Sequence, residues 1–488
     1  MERVNFGYSL KNIAAPSPKV YHQMMINSCE KTLNRMRWKA FFYLNPDKSS
    51  SMKENFGLPT SKPAPKIEEL DEFREGMLNL LKTTETTKKT NDFQEKLRHD
   101  YNKMKKEDKV FVAADKTANF YKVKVEDYNK LLENSITNDY KKTTAAKVKT
   151  IAKEDKKVAE KFNVDDRTYQ TTEREAFATL KDHKDNFRTN PKCRLLNPTK
   201  PEIGKISKKI LERINAKIKK MTGHNQWKNT QEVLKWFANL KQKHKLKFVQ
   251  FDVENFYPSI SEELLEKAID YAMQFDDISQ EEREVIFQSK KSSLHSKGQA
   301  WTKKGDSQFD VTMGSFDGAE TCELVGLYLL SLLQDLGVDI GLYRDDGLGA
   351  CRKTPFQMEK IKKQIQKVFR DNGLNVIISV NLTTVDFLDV TLDLKLGTYK
   401  PFSKPNDVPL YIHAKSNHPP PTLRNVPLAV NKRLSEISSN EDIFNEAAPI
   451  YQKALKDSGY NHTLKFSKEL HKKSKTNRQR KKSETSFG

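Results

Sequence analysis

The sequence predicts an α+β protein of several packed units, and three observations lead to this prediction. The chain has 488 residues, 36% of them hydrophobic, which is enough for two to four packed units. Apolar side chains recur at helical spacing through the first hundred residues. From Lys109 onwards, short runs typical of β-strands alternate with further helical segments.

The region 1–106 is predicted to be a helical extension. Apolar residues at helical spacing predict a helix over 19–44, and 67–84 and 92–106 are shorter amphipathic candidates. The stretch between the first two helices, PDKSSSMKENFGLPTSKPAPK at 46–66, is rich in Pro, Ser, Gly and Lys and is typical of a linker.

The region 107–245 combines short strands with basic helices. KVFVAAD, NFYKVKV and CRLLN predict three strands, and a lysine-rich helical stretch extends to about residue 163. Between this stretch and CRLLN lies a loop crowded with Lys, Arg, Asp and Asn. Two more basic helices are expected at 205–222 and 230–243.

The region 246–400 begins with KFVQFDV at 247–253, which predicts a buried strand that delivers Asp252 and is closed by Pro258. A strongly apolar helix is expected in the second half of FDVTMGSFDGAETCELVGLYLLSLL, followed by a hairpin around GLYRDDGLGACR at 341–352. The other elements predicted from here on are helices at 261–274, from about 279, at 355–372, 421–437 and 440–457, a connection rich in Gly, Ser and Lys after the second of these, and strands within 385–394.

The chain is strongly basic, with 87 Lys and Arg against 65 Asp and Glu, a net charge of +22 and a pI near 9.4. This charge indicates either a polyanionic partner or a well-solvated basic surface without one. The four widely spaced cysteines include no C-x-x-C pair, so a zinc module and a disulfide framework are not expected. The longest apolar run, Leu324 to Leu333, is too short to span a bilayer, so no membrane association is expected.

The last region, 464–488, carries nine Lys and Arg residues against two Glu. Such a run is typical of a disordered, solvated tail. The stretch KKSKTNRQRKK within it is also compatible with a nuclear-import signal or a phosphate-binding arm.

Three aspartates point to a chemical function. Asp-Gly between two β-type runs is a hairpin signal, so RDDG alone predicts a tight turn. If the strand that ends at Asp252 lies beside the hairpin that carries Asp345 and Asp346, three carboxylates come together and repel one another. Two Mg²⁺ ions about 3.5–4 Å apart would relieve this repulsion and stabilise both oxygens of an in-line phosphoryl displacement. This is the chemistry of nucleotide polymerisation, in which a primer 3′-hydroxyl attacks and pyrophosphate leaves.

The ordered motifs FDVENFYPSI, VTMGSFDGAETCELVGLYLL, YRDDGL and VDFLDVTLDL resemble the motifs A, B and C and the following palm strands of reverse transcriptases. The segment 399–438 is similar to the signature at the start of the thumb in Penelope-like retroelements, and ADKTANFYKVKVEDY at 114–128 resembles another segment of that family. The matching signature residues are Tyr411, His413, Ser416, His418 and Pro419. The resemblance implies a right-hand polymerase with fingers at 107–245, a palm with an antiparallel sheet at 246–400 and a helical thumb at 401–463.

The same resemblance implies roles for individual palm residues. Asp252 and Asp345 would be catalytic ligands of two Mg²⁺ ions, with Mn²⁺ as an alternative, while the Val253 carbonyl completes the coordination and catalytic Asp346 supports it. Tyr257 occupies the position of an aromatic gate against the ribose 2′-hydroxyl, although the neighbouring Phe256 is equally aromatic and a shift by one residue stays open.

Four further residues are implied to bind the incoming nucleotide: Lys181, Arg194, Met313 and Gly314. Gly314 would let the backbone approach the nascent base pair, because glycine has no Cβ, and Met313 replaces the commoner glutamine. Lys181 and Arg194 would contact the triphosphate. The chain departs from the family pattern at Arg344, which would either pair with Asp317 or contact primer phosphates.

The sequence therefore predicts an RNA-directed DNA polymerase that uses an RNA template, a DNA primer and dNTPs and is nuclear or nucleocytoplasmic. No GIY or YIG tripeptide occurs, so the GIY-YIG endonuclease of many Penelope-like proteins is expected to be absent or cut off. Two alternatives stay open: an RNA-dependent RNA polymerase, and a domesticated, inactive palm that only binds nucleic acid. The oligomeric state is left open.

Overall fold

The computed structural model contains both helices and sheets, which confirms the predicted α+β class. The residues that it describes are 1–46, 56, 58, 63–84, 91–165, 174–184, 186–305, 308–404 and 407–467. Most of the predicted linker at 46–66 and nearly all of the predicted basic tail lie outside these residues. None of the described helices is both long enough and apolar enough to cross a membrane.

The N-terminal region is helical, as predicted, but it starts with a short strand that the sequence did not indicate. Its elements are β1 (Glu2–Val4), α1 (Pro18–Leu44), α2 (Glu68–Thr83) and α3 (Asp92–Lys106). Helices α1 and α2 are joined by the ion pairs Arg37–Asp71 and Arg74–Glu30. Helix α3 begins at Asn91, whose side chain accepts a hydrogen bond from the Gln94 N–H and so caps the first turn.

The described part of the next region contains four helices and contributes strands to three small sheets, one of which is completed by strands of the third region. Its elements are β2 (Lys109–Ala113), β3 (Phe120–Lys124), α4 (Val125–Asp139), β4 (Tyr140–Lys142), α5 (Ala145–Glu160), β5 (Phe177–Leu180), β6 (Cys193–Leu196), α6 (Gly204–Thr222), β7 (Asn225–Gln226) and α7 (Thr230–Asn239). Strand β1 pairs with β3, which pairs with β2, and β5 pairs with β6. Helix α7 ends four residues earlier than predicted, and Gln242 beyond it has a left-handed φ of +49°.

The third region carries a central five-stranded sheet in the order β13-β8-β12-β11-β7. Strand β13 was not predicted from the sequence. The elements are β8 (Lys247–Val253), α8 (Phe256–Ser259), α9 (Glu262–Ala272), α10 (Gln280–Gln288), β9 (Leu294–Ser296), β10 (Gln299–Lys303), α11 (Gly318–Leu333), β11 (Asp339–Tyr343), β12 (Asp346–Cys351), α12 (Pro355–Asp371), β13 (Val376–Leu382), β14 (Thr384–Phe387), β15 (Val390–Asp393) and β16 (Tyr399–Pro401).

The segment predicted as a Gly/Ser/Lys-rich connection contains a hairpin, β9–β10. Ser296 and Gln299 are paired, and the two residues between them, Lys297 and Gly298, both have positive φ angles of +52° and +71°. Two positive φ angles are typical of a type I′ hairpin turn, in which Asn-Gly is the usual sequence. The turn has Lys-Gly in place of Asn-Gly, and for this reason the hairpin was not predicted from the sequence.

The two faces of the central sheet contact different hydrophobic cores. Val249, Phe251 and Val253 of β8 pack in the core formed with α9, α11 and α12, whereas Phe248 packs with Trp227 and other residues on the opposite face. Side chains alternate between the faces of a strand. Asp252 therefore lies on the face away from these three helices.

The glycine of RDDG serves packing rather than the turn. A Cβ on Gly347 would lie 2.2 Å from the Phe251 ring, which is too close for any other residue. The hairpin turn lies before Asp-Gly, at Arg344 and Asp345, because Tyr343 pairs with Asp346. Arg344 has a φ of +56° at the first turn position. The prediction of a turn in this stretch is confirmed, but its assignment to Asp-Gly was wrong.

The C-terminal helices α13 (Pro420–Glu436) and α14 (Glu441–Asp457) lie where the sequence predicts them, and they pack on each other. Their core includes Leu464, and Phe466 makes an edge-to-face contact with Phe444, with the ring centroids 5.6 Å apart. The described residues up to 467 thus belong to this packed unit, although 464 was predicted as the start of the tail.

The N-terminal segment is docked on the start of this helical unit. The Ile13 N–H donates to the Ser416 hydroxyl at 2.9 Å, and the Gln94 side chain donates to the Lys415 carbonyl at 2.6 Å. Phe93 of α3 stacks on His413 with the ring centroids 3.7 Å apart. Since β1 also pairs with β3, the first fifteen residues contact both the second region and the C-terminal helices.

The buried Asp155 on α5 predicts a pH dependence of stability. It is 4% exposed, and Gln288 donates a hydrogen bond to it at 2.8 Å. Burial is the main cause that raises its pKa from 3.8 to about 7. The folded protein therefore holds this proton more tightly than the unfolded chain, so this stabilisation is present below pH 4 and is lost as the pH rises towards 7.

Replacing Asp155 with asparagine, which stays neutral and keeps the acceptor for Gln288, is expected to stabilise the fold at pH 8 by about 1–2 kcal/mol. Thermal melting of both proteins at pH 5 and pH 8 measures this difference. The expected gain appears at pH 8 and shrinks at pH 5. A substitution that leaves the pH dependence of melting unchanged would show that Asp155 titrates as an ordinary carboxyl group.

Candidate active site

Three aspartates meet where β8 and the β11–β12 hairpin lie side by side. Asp252 and Asp346 are directly opposite each other in the antiparallel register of β8 and β12. The Val253 N–H donates to the Asp345 carbonyl at 2.9 Å and so ties the turn to the end of β8. Cβ atoms of directly opposite residues are about 4.5–5.5 Å apart, so these carboxylates share one small space.

The electrostatics of these aspartates show an excess of negative charge. Burial, followed by the charges of Asp345 and Asp252, raises the pKa of Asp346 to about 6. Burial and then Asp345 also raise the pKa of Asp252. A bound cation would lower both pKa values, because it favours the charged carboxylates.

The donor set fits a hard divalent cation. Carboxylate and carbonyl oxygens are the donors that Mg²⁺ prefers, and Mg²⁺ usually keeps several waters or phosphate oxygens beside one or two carboxylates. Within the described residues, no group of three or more His, Cys, Asp or Glu side chains has the arrangement of a complete metal site. The chain would therefore supply Asp252, Asp345 and the Val253 carbonyl, and water or substrate oxygens would fill the remaining positions.

The two aromatic residues after Asp252 have different surroundings. Phe256 is 2% exposed and belongs to the hydrophobic core, whereas Tyr257 is only partly buried at the edge of that core. Tyr257 lies close to Gly318, where a Cβ would be 3.5 Å from the tyrosine ring. Burial, Cys322 and the Asp345 charge raise the pKa of Tyr257, while Arg344 lowers it. Tyr257 is therefore the aromatic residue next to the aspartates.

The loop before α11 carries Met313 and Gly314. Gly314 is exposed and has a φ of +98°, a conformation that side chains with a Cβ rarely adopt. Met313 is partly buried. Both positions are compatible with close approach of a ligand.

A buried ion pair fixes the start of α11, and the sequence did not reveal it. Asp317 is fully buried and accepts hydrogen bonds from the Lys290 ammonium group and from the Ser289 hydroxyl, the latter at 2.7 Å. The suggested pair between Arg344 and Asp317 is therefore wrong. Arg344 is exposed, and its guanidinium group lies 5.7 Å from the centre of the Tyr343 ring.

The cations predicted on the fingers lie together. The Arg194 guanidinium is 3.2 Å from the carboxylate of Asp115, so its charge is partly neutralised within the protein. Lys181 is half-buried, and burial followed by the charge of Arg194 lowers its pKa. The structure thus keeps Lys181 and Arg194 near each other, with one carboxylate beside them.

Three lysines that the sequence did not single out act on the aspartates. The charges of Lys116 and Lys184 lower the pKa of Asp252, and those of Lys116 and Lys404 lower the pKa of Asp346. Lys184 is exposed. Lys116 and Lys404 lie in the segments 114–128 and 399–438. The resemblance of these segments to Penelope-like retroelements was the only sequence signal for the two lysines.

The loops that carry Lys116 and Lys184 are held by one carboxylate. Asp182 accepts hydrogen bonds from the Thr117 hydroxyl at 2.7 Å, the Asn119 amide at 2.8 Å and the Tyr121 hydroxyl at 3.0 Å. All three donors bond to Oδ2 of this carboxylate, which therefore ties the two loops together. The site thus combines aspartates, which are suited to divalent cations, with basic side chains, which are suited to phosphates.

Solved structures of other proteins are similar to this chain over most of its length. A structure of telomerase from Candida albicans, in complex with a TWJ fragment of telomeric RNA, matches 94% of this chain and 78% of its own, with 11% identity and a TM-score of 0.50. Apo telomerase from Candida tropicalis matches 82% of this chain and 76% of its own, with 10% identity and a TM-score of 0.47. The RNA-dependent RNA polymerase of a human picobirnavirus matches 81% and 84%, with 10% identity and a TM-score of 0.41.

In sequence, residues 410–468 match the family described as the animal helix-turn-helix domain, which covers α13 and α14. No curated protein matches this chain in sequence. The similarity to the Candida albicans telomerase thus takes in nearly the whole of this chain. The chain therefore has the fold of right-hand nucleic-acid polymerases.

Proposed function

We propose that this protein is an RNA-directed DNA polymerase of a Penelope-like retroelement. The observation that carries the proposal is the pairing of Asp252 with Asp346 in the central sheet, with Asp345 tied to the same strand end. This arrangement supports phosphoryl transfer with two metal ions, in which a primer 3′-hydroxyl attacks a dNTP and pyrophosphate leaves.

The proposed mechanism assigns each group a task. Asp252, Asp345 and the Val253 carbonyl would hold two Mg²⁺ ions, or Mn²⁺, which stabilise the charge on the attacking and leaving oxygens. Asp346 adds negative charge beside them and holds the hairpin in register. The half-buried Lys181 and Arg194 would bind the triphosphate from the opposite wall, and Gly314 would admit the nascent base pair.

Several features support the partners and the family. The signature residues at the start of the thumb, among them His413 and Ser416, hold the N-terminal segment in the structure. A Candida albicans telomerase with a similar fold was solved with RNA, which agrees with an RNA template. We propose a DNA primer as the second strand and, because of the basic C-terminal sequence, a nuclear location.

The choice between DNA and RNA synthesis depends on Tyr257. The Asp345 charge raises the pKa of Tyr257, and Gly318 leaves room for the tyrosine ring, which would exclude a ribose 2′-hydroxyl sterically. We expect the wild type to extend a primer on an RNA template with dNTPs in preference to rNTPs. The Tyr257→Ala protein is expected to use rNTPs about tenfold or more better relative to dNTPs, because its pocket no longer rejects the hydroxyl.

Single-nucleotide primer extension with each dNTP and rNTP measures this ratio. Tyr101→Ala, which removes an exposed tyrosine from α3, is the matched control and is expected to leave the ratio unchanged. Preference of the wild type for rNTPs would identify an RNA polymerase instead. Duplex binding without extension in either Mg²⁺ or Mn²⁺ would favour the inactive, nucleic-acid-binding palm.

A further inference from the structure

Helix α12 carries a line of positive side chains along its outer face. The residues that this helix buries against the core are Met358, Ile361, Ile365 and Phe369. The side of the helix opposite to them carries four exposed cations at helical spacing, Lys360, Lys363, Lys367 and Arg370. Phe356, which is 82% exposed, extends this line towards the start of the helix. We call the four cations and Phe356 the α12 stripe.

The α12 stripe faces away from the aspartates. Phe369 of α12 contacts Phe251 of β8, with the ring centroids 5.4 Å apart. Phe251 and Asp252 are neighbours on one strand, so their side chains point to opposite faces of the central sheet. The stripe lies on the far side of α12 from Phe251, and a helix with its side chains is about 10–12 Å across. The sheet and a whole helix therefore separate the stripe from the proposed reaction centre.

The cations of α12 lack the acidic partners that those of another basic helix have. Six of the seven Lys and Arg side chains of α6 form ion pairs with carboxylates, namely Lys205, Lys208, Lys209, Arg213, Lys217 and Lys219. In the described part of the chain, none of the five Lys and Arg side chains of α12 forms such a pair. Like charges three or four residues apart repel each other along a helix. A polyanion on the stripe would remove this repulsion.

The geometry of the stripe favours nucleic acid over other polyanions. From Lys360 to Arg370 the helix rises by about 15 Å, and a stacked nucleic-acid strand carries one phosphate about every 3.4 Å, so the four cations match about four phosphates. The exposed ring of Phe356 offers a surface on which an unpaired base can stack. A membrane surface fits less well, because the apolar face of α12 that would enter the lipid is buried in the protein.

We propose that the α12 stripe binds single-stranded RNA, with the four cations on neighbouring phosphates and the Phe356 ring stacked on a base. The inference rests on the proposed polymerase function for the identity of this strand, which is the part of the RNA template outside the cleft. A second contact on the back of the palm keeps the template on the protein while its paired part moves through the reaction centre, because two linked contacts raise the effective concentration of the strand.

The test measures RNA binding by the full-length protein without turnover. Fluorescence anisotropy of a labelled, unstructured RNA of about 16 nucleotides gives the affinity at several salt concentrations. The stripe variant combines Lys360→Gln, Lys363→Gln, Lys367→Gln and Arg370→Gln. It is expected to bind this RNA at least about tenfold more weakly at about 0.1 M salt. The slope of log affinity against log salt is expected to fall by about 3, since each phosphate contact of a single strand contributes about 0.7.

The matched control removes the same charge without touching the stripe. It combines glutamine substitutions of four exposed lysines on separate elements, which are Lys31, Lys130, Lys297 and Lys395. Its RNA affinity is expected to fall less than that of the stripe variant, and its salt slope is expected to match the wild type, because scattered charges do not bind one strand together.

Phe356 separates stacking from charge. Phe356→Ala is expected to weaken RNA binding about fivefold or more and to leave the salt slope unchanged, because stacking on a base releases no counterions. Phe356→Trp is expected to restore the affinity. Tyr43→Ala, which removes an aromatic ring that is 85% exposed on α1, is the control and is expected to bind RNA like the wild type.

Equal RNA affinity and salt slope in the stripe variant and the matched control, at equal melting temperatures, would overturn this inference. A glutamate-rich peptide that binds the wild type but not the stripe variant, while RNA binding is kept, would also overturn it and assign the stripe to an acidic protein. Absence of primer extension by the wild type would refute the polymerase function separately, because RNA binding is measured without nucleotides.

Discussion

Replacing Asp345 with asparagine is expected to reduce primer extension on an RNA template by at least about a thousandfold, or about 4 kcal/mol of transition-state stabilisation. Asparagine keeps the size of the side chain and one oxygen but removes the charge that would hold a divalent cation. The hairpin itself should survive, because the Asp345 carbonyl, and not its side chain, accepts the Val253 N–H at 2.9 Å. Steady-state extension with Mg²⁺ measures the loss.

Asp335→Asn is the matched control, since Asp335 is an exposed carboxylate away from the central sheet edge. It is expected to extend primers like the wild type. The Asp345 variant should also have a lower pKa at Asp346, because the Asp345 charge is one of the causes that raise it to about 6. Equal extension by Asp345→Asn and wild type would show that these aspartates are not the reaction centre.

Replacing Asp317 with alanine is expected to lower the free energy of unfolding by about 3–5 kcal/mol, the range for breaking a buried ion pair. Lys290 is 1% exposed and would be left as an unpaired buried charge, and the Ser289 hydroxyl would lose one of its two acceptors. Asp317 also lies at the start of α11, where a negative charge is favourable. Thermal or denaturant unfolding of the purified protein measures this effect.

A double variant separates charge from packing. Lys290→Met combined with Asp317→Leu removes both charges and keeps most of the volume, so its stability is expected to lie closer to the wild type than that of either single variant. The same double variant also tests whether the ion pair positions the loop that carries Met313 and Gly314, because Asp317 lies between this loop and α11. Loss of stability in the double variant equal to the sum of the single losses would mean that the pair is not coupled.

Those features of the site that depend on local patterns could be predicted from the sequence. KFVQFDV identified a buried strand and its terminal Asp252, and GLYRDDGLGACR identified a hairpin with two aspartates. The expectation that the two meet followed from strand pairing, and the register of Asp252 opposite Asp346 agrees with it. The helices could also be predicted, because helix caps and apolar spacing are local patterns. Helix α12, for example, begins with a capping box at Thr354.

Features that depend on residues far apart in sequence could not be predicted. Lys116 and Lys404 give no local signal, since each is one lysine among many in a basic chain. The partner of Asp317 is Lys290, which lies in a segment predicted as a mere connection. The exact turn was missed because Gly347 is needed by Phe251 on the neighbouring strand and not by the turn itself.

The docking of the N-terminal segment has a consequence for how the protein is made. The hydrogen bond between the Ile13 N–H and the Ser416 hydroxyl joins residues 403 positions apart. During translation the donor leaves the ribosome long before its acceptor exists, and the contacts with the largest sequence separation also form most slowly. Strand β1 can already pair with β3 at that stage, whereas the attachment of Ile13 has to wait until the polypeptide is complete up to Ser416.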